Sequence, residues 1–117
     1  MTDKRLKAYR RGHRAEWLAG LLLQSRGYRI AARRFKTPVG EVDLIARKAD
    51  LVLFVEVKAR SHHQAALDSI SRSAQRRIEA AAQWWLAQQA DAGHLNWRFD
   101  VITVVPWRWP RHYHNVW

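Results

Sequence analysis

Residues 40–60 read GEVDLIARKADLVLFVEVKAR. Their Val, Ile, Leu and Phe content predicts two strands, residues 41–47 and 51–59, joined by a tight connection at Ala49-Asp50. Ala-Asp is not a strong hairpin dipeptide, so the turn type stays open. Strand side chains alternate between faces. Glu41, Asp43 and Ile45 therefore share one face of the first strand, and Phe54, Glu56 and Lys58 one face of the second. The opposite face, Val42, Leu44 and Ala46 with Leu53, Val55 and Val57, is wholly apolar and is expected to lie under a helix. A connection centred between residues 49 and 50 sets Asp43 across from Glu56, and Glu41 across from Lys58.

Directly opposed strand residues hold their Cβ atoms about 4.5–5.5 Å apart, and like charges at that distance destabilise a sheet. A divalent cation between Asp43 and Glu56 reverses the sign. Mg²⁺ takes oxygen ligands at about 2.0–2.1 Å, commonly one or two carboxylates with waters and a substrate phosphate. Lys58 emerges on the same face as Glu56, where an ammonium can hold an attacking water or neutralise developing negative charge. Glu41 across from it can orient it. The competing reading is a solvated hairpin face, on which alternating Glu and Lys are ordinary. The apolar flanks, the opposed Asp and the basic chain around them are what favour a metal site.

Outward from this hairpin, apolar residues at helical spacing (Ala15, Leu18 and Leu22; Ala19 and Leu23) predict a helix over residues 12–26, stopped by Gly27. The first ten residues are mostly charged and are expected to fray. Residues 28–35 alternate as a strand, and Thr37-Pro38-Val39-Gly40 is a turn. Residues 60–73 are polar, a loop or short helix. Ser73 is the expected cap of a helix reaching about residue 92, closed by Gly93, with Ile78, Ala81, Ala82, Trp85 and Leu86 on its apolar side. Residues 97–105, WRFDVITVV, form a last strand ended by Pro106. The order is α-β-β-β-α-β, a small mixed sheet flanked by helices. The length of 117 residues suits a single domain with one modest core.

The chain carries 21 Lys and Arg against 10 Asp and Glu, a formal charge of +11, which favours a polyanionic partner, nucleic acid first. It has no cysteine, which excludes disulfides and thiolate metal sites. No stretch reads as a membrane span or a cleavable leader, and a cytoplasmic protein is expected. Asp100, between Phe99 and Val101, reads as a structural carboxylate pinned by an arginine. His13, His62, His63 and His94 show no metal-ligand spacing, and His112 and His114 read as surface residues of the tail. That tail, PWRWPRHYHNVW (residues 106–117), can pack on the domain, stay disordered, stack on bases or lie at a membrane interface. Trp84 and Trp85 read as core or a dimer face.

Asp43 followed by Glu56-x-Lys58 on the next strand resembles the PD-(D/E)xK nuclease core, whose restriction-endonuclease-like αβββαβ arrangement agrees with the order read above. GEVDLIA and LVLFVEVKAR, with residues 12–16 in the first helix, AQRRIEAAAQWWL in the late helix and RFDVITVV near the end, resemble the YraN-like uncharacterised protein family. That family is similar to the archaeal Holliday-junction-resolvase branch of the superfamily. The resemblance spans about residues 10–105 and implies Mg²⁺- or Mn²⁺-dependent phosphodiester hydrolysis. It implies Asp43 and Glu56 as metal ligands with the Val57 carbonyl as a third, Lys58 as the catalytic lysine, and Glu16 as an additional carboxylate near the metal. Gly40 would shape the start of its strand, and Gln75 would touch the site or the DNA backbone. Where the family pattern carries a glycine, an asparagine and a lysine, this chain has Ala15, Arg34 and Ala74; the last two alter substrate contacts.

The expected activity is thus a metal-dependent endonuclease on structured or non-specific DNA. Arg34, Lys36, Arg60 and Arg76 would grip phosphates, contacts that position a substrate without reading its sequence. A nucleic-acid-binding module without efficient catalysis is the alternative, and an interaction protein using its Trp-rich tail a third. Resolvase-like enzymes commonly pair, which leaves a homodimer open.

Overall fold

The computed structural model describes residues 2–117. The elements run α1 (Asp3–Ser25), β1 (Arg29–Thr37), β2 (Gly40–Lys48), β3 (Leu51–Ala59), α2 (His63–Asp68), α3 (Arg72–Leu86), a 3-10 turn (Ala92–His94), β4 (Asn96–Val104) and β5 (Arg111–Tyr113). The five strands form one sheet in the order β1-β2-β3-β4-β5. β3 and β4 are parallel and every other neighbouring pair is antiparallel. This is the restriction-endonuclease-like αβββαβ core, extended by α2 and by the edge strand β5.

The β2–β3 register is the expected one: Leu44 faces Val55, Ile45 faces Phe54 and Lys48 faces Leu51. The weak dipeptide still makes a tight turn, with Ala49 at φ 51. Helices cover both faces of this hairpin. Leu44, Ala46, Leu53, Val55 and Val57 pack with Ala15, Ala19 and Leu23 of α1. Ile45, Val52 and Phe54 pack with Ile78, Ala81, Ala82 and Trp85 of α3. The face carrying the charges is therefore apolar along its middle.

α1 begins at Asp3, well before the expected residue 12. Thr2 caps it by accepting the Arg5 N–H through Oγ1, and Asp3 sits favourably in its first turn. The basic stretch expected to fray is thus helical. At the other end Gly27, at φ 90, closes the helix while Tyr28 N–H bonds the Leu23 carbonyl and Gly27 N–H that of Gln24. α3 starts two residues earlier than expected, because Ser71 rather than Ser73 caps it, but it is shorter overall because it ends at Leu86, with Ala87 as its C-cap. Gly93 belongs to the 3-10 turn and does not close α3. Trp85 is buried edge-on against Phe54, whereas Trp84 is exposed.

The tail packs on the domain. β5 pairs with β4, and Trp117 stacks on Phe99 with ring centroids 5.5 Å apart. No helix among the described residues is long and apolar enough to cross a membrane.

Candidate functional site

β2 leaves both of its ladders at Asp43. It pairs with β1 at Arg33↔Leu44 and again at Phe35↔Val42, and with β3 from Lys48↔Leu51 up to Leu44↔Val55. Asp43 lies in neither set, and Arg34, across from it, takes a left-handed φ of 48. Such a φ is uncommon for a side-chain-bearing residue and marks a local distortion. One consequence corrects the strict alternation: Val42 packs with the α3 cluster rather than with Leu44 and Ala46 against α1. A second is that the Asp43 carboxylate fills the gap, its Oδ2 accepting the Val57 N–H at 2.8 Å. A partly buried N–H requires an acceptor, and here a side chain supplies it in place of a strand carbonyl.

Glu56 and Lys58 follow on β3. Their period-two spacing places the Lys58 Nζ 3.2 Å from the Glu56 Oε1. Lys58 is thus oriented by Glu56 and not by Glu41, which is exposed. Glu16 comes from α1, where Ala15 and Ala19 face the sheet. Arg34 Nε donates to its Oε2 at 2.7 Å. A cleft of about 200 Å³ opens here, lined by Glu16, Arg34, Lys36, Glu41, Val42 and Asp43. Glu56 and Lys58 stand outside that lining, one strand further on.

Burial pushes the Asp43 carboxyl up, repulsion from Glu56 pushes it further and Glu16 adds to both. The Val57 hydrogen bond works the other way, and the result is a carboxyl raised from 3.8 to about 8. Glu16 of α1 and Glu56 of β3 thus both act on Asp43 of β2 beside an open cleft. Such all-oxygen donors suit a hard divalent cation, which would relieve the repulsion at Asp43.

The residues expected on nucleic acid are spread around this end of the sheet. Lys36 is exposed in the cleft, and Arg60 is exposed just beyond β3. Gln75 is half-buried and Arg76 exposed in the first turns of α3. Those turns press on the start of β2: a Cβ on Gly40 would lie 1.9 Å from the Arg77 carbonyl oxygen. Gly40 is thus required by the helix–strand contact. Arg34, expected to grip phosphate, is engaged with Glu16, and its guanidinium lies 5.9 Å from the centroid of the Tyr9 ring.

Asp100 is fully buried and pinned as expected, with more partners than one arginine. Its carboxylate accepts from Arg98 Nε, from the Asn115 N–H and from His112 Nε2 at 2.7 Å. Burial raises its pKa, but bonds from His112, Asn115 and Arg98 outweigh that and hold it below the usual value. His112 is not a surface residue; its side chain is buried and its Nδ1 faces Arg26 NH1 at 3.1 Å. Donor atoms of Asp100, His112 and His114 lie within 4.8 Å of one another. Two guanidinium groups already bond into that cluster, so it reads as the latch of the tail. Only the formation of β5 brings it together, and no sequence spacing announces it.

The helix and strand order defines a restriction-endonuclease-like fold. The model of uncharacterised protein family UPF0102 matches residues 15–104. A UPF0102 protein of Mesorhizobium japonicum is 58% identical, over 98% of this chain and 92% of that protein. UPF0102 proteins of a Chelativorans species and of Sinorhizobium medicae are 55% and 52% identical, covering 96% and 94% of this chain and 90% of each relative. The chain belongs to the uncharacterised protein family UPF0102, which fits the YraN-like resemblance.

Proposed function

We propose that this protein is a divalent-metal-dependent endonuclease that hydrolyses phosphodiester bonds of DNA in the cytoplasm, on structured or non-specific substrates. The observation that carries this reading is the half-buried Asp43 carboxyl, which accepts the Val57 N–H in the gap of the β2 ladders and is raised to about 8 by desolvation and by Glu56, next to the Glu56–Lys58 pair. Asp43 and Glu56 would hold the ion, with the Val57 carbonyl as a third ligand, and Glu16 would add negative charge from α1. Mg²⁺ or Mn²⁺, when bound, supplies positive charge at the scissile phosphate and lowers the pKa of water. Lys58, positioned by Glu56, holds the attacking water or neutralises charge developing on the phosphate. Lys36, Arg60, Arg76 and Gln75 grip the backbone around the cleft. Arg34 reaches phosphate only by sharing its guanidinium with Glu16. A two-fold pair of such chains suits a symmetric junction.

The test is cleavage and gel-shift on labelled duplex, single strand, flap, fork and four-way junction, with Mn²⁺, Mg²⁺ or chelator, beside Asp43→Ala/Glu56→Ala. Cleavage that is lost with chelator and in the variant, while binding persists and weakens steeply with salt, supports the reading. Binding without cleavage of any substrate moves the protein to the binding-module alternative.

A further inference from the structure

The loop between β4 and β5 is built against backbone preference. Val105, Pro106, Trp107 and Arg108 make a turn closed by the Arg108 N–H on the Val105 carbonyl at 3.2 Å. Proline second and a positive φ third are the marks of a type II turn, whose third position is ordinarily Gly or Asn. Here it is Trp107, at φ 63. A bulky residue in the left-handed region costs conformational energy, and such strain gathers where a side chain has work outside the fold. The strain secures no packing, because Trp107 is fully exposed and Trp109 is 89% exposed.

Both indoles lie beside a groove of about 720 Å³ formed with Leu18, Leu21, Leu22 and Ser25 of α1. Its one charged lining residue is Arg108, between the two tryptophans. Two exposed indoles and an arginine lining one groove suit an unpaired base and its phosphate. A second copy of this chain fits less well, since each copy carries +11 and the groove offers Arg108 no acidic partner. The loop also leaves the sheet at the end that carries Lys58. Lys58 pairs with Thr103 and Ala59 with Val104, immediately before the turn. β2 and β4 are two strand spacings apart in the sheet, about 10 Å.

We propose that Trp107 and Trp109, with Arg108 between them, stack the unpaired bases of a single-stranded DNA segment, so that the substrate carries a single strand next to the bond presented to the carboxylates. This rests on the reading of the chain as acting on DNA. The test is fluorescence anisotropy in chelator, where nothing is cut, with a labelled oligodeoxythymidylate and a blunt duplex of equal length. Wild type is compared with Trp107→Ala/Trp109→Ala and with Trp107→Gly. Each lost indole is expected to weaken single-strand binding about tenfold, with duplex affinity unchanged. Trp107→Gly is also expected to melt no lower than wild type, because glycine relieves the left-handed backbone; a structural tryptophan would lower the melting point. Variants that bind the oligothymidylate like wild type overturn the inference. So do variants whose only change is the loss of a sedimenting dimer, which would make the groove a contact between copies. Wild type that binds duplex but not single strand overturns this inference alone. Indole-dependent binding by a protein that cuts none of the substrates under Mn²⁺ upholds the stacking of unpaired bases, and removes the endonuclease reading together with the placement of a scissile bond.

Discussion

Replacing Asp43 with asparagine removes one charge from the carboxylate cluster while keeping an oxygen that can accept the Val57 N–H. The folded chain holds the Asp43 proton up to about pH 8, against an ordinary value of 3.8. Folding that raises an acid's pKa disfavours its ionised form. The wild type without metal should therefore lose stability as pH climbs from about 4 through about 8, and the variant should not. The full gap in pKa sets a ceiling of about 6 kcal/mol. Water entering the open cleft and relaxation around the carboxylates reduce it, and we expect about 2–3 kcal/mol. For a domain of this size that raises the melting temperature by about 8–12 °C. Differential scanning fluorimetry in chelator from pH 5 to 9 reads the effect directly. Excess Mn²⁺ should then raise the melting point of wild type and leave Asp43→Asn where it was. If Asp43→Asn melts at or below wild type at pH 8.5, the carboxylates are not a strained set and the case for a cation between them fails.

Three further outcomes follow from other parts of the molecule. Lys58→Ala should lower cleavage at least about 100-fold while gel-shift affinity for DNA stays within about twofold, the pattern of a group that acts on the transition state. Gly40→Ala should cost at least about 3 kcal/mol in denaturant unfolding, since its Cβ would meet the Arg77 carbonyl oxygen at 1.9 Å and a helix backbone cannot step aside. Asp100→Ala should cost about 3–5 kcal/mol, because it leaves Arg98 and His112 without their buried partner, and hydrogen exchange should show β5 released. The Asp100 pKa is depressed, so its contribution is present above the ordinary carboxylate range and is lost as pH falls through the folded value.

The hairpin was legible because two signals agreed: β-branched content named the strands and the short connection fixed their register. Asp43, Glu56 and Lys58 could be singled out because period-two alternation is a strong rule. The same rule misplaced Val42, since it does not foresee the distortion at Arg34 that lifts Asp43 out of both ladders. It also paired Lys58 with Glu41, where same-strand spacing gives Glu56 instead. The Glu16–Arg34 ion pair joins a helix to a strand, and no local pattern encodes it. The early start of α1 was hidden by its charge, because a Thr2 cap weighs little on paper against so many basic residues. β5 and the burial of His112 depend on a buried acid meeting a tail with aromatic and basic side chains. That is a tertiary event, invisible to periodicity.

The strand carboxylates are proposed to hold a divalent ion. Isothermal titration of Mn²⁺ into wild type and Glu56→Gln, at pH 8.5 and low salt, tests it most directly. We expect saturable uptake of one ion per chain by wild type and no saturable uptake by the variant; the same titration at pH 7, where Asp43 holds its proton, should release that proton as the ion binds. Equal binding by the two proteins, or none by wild type, would contradict the claim.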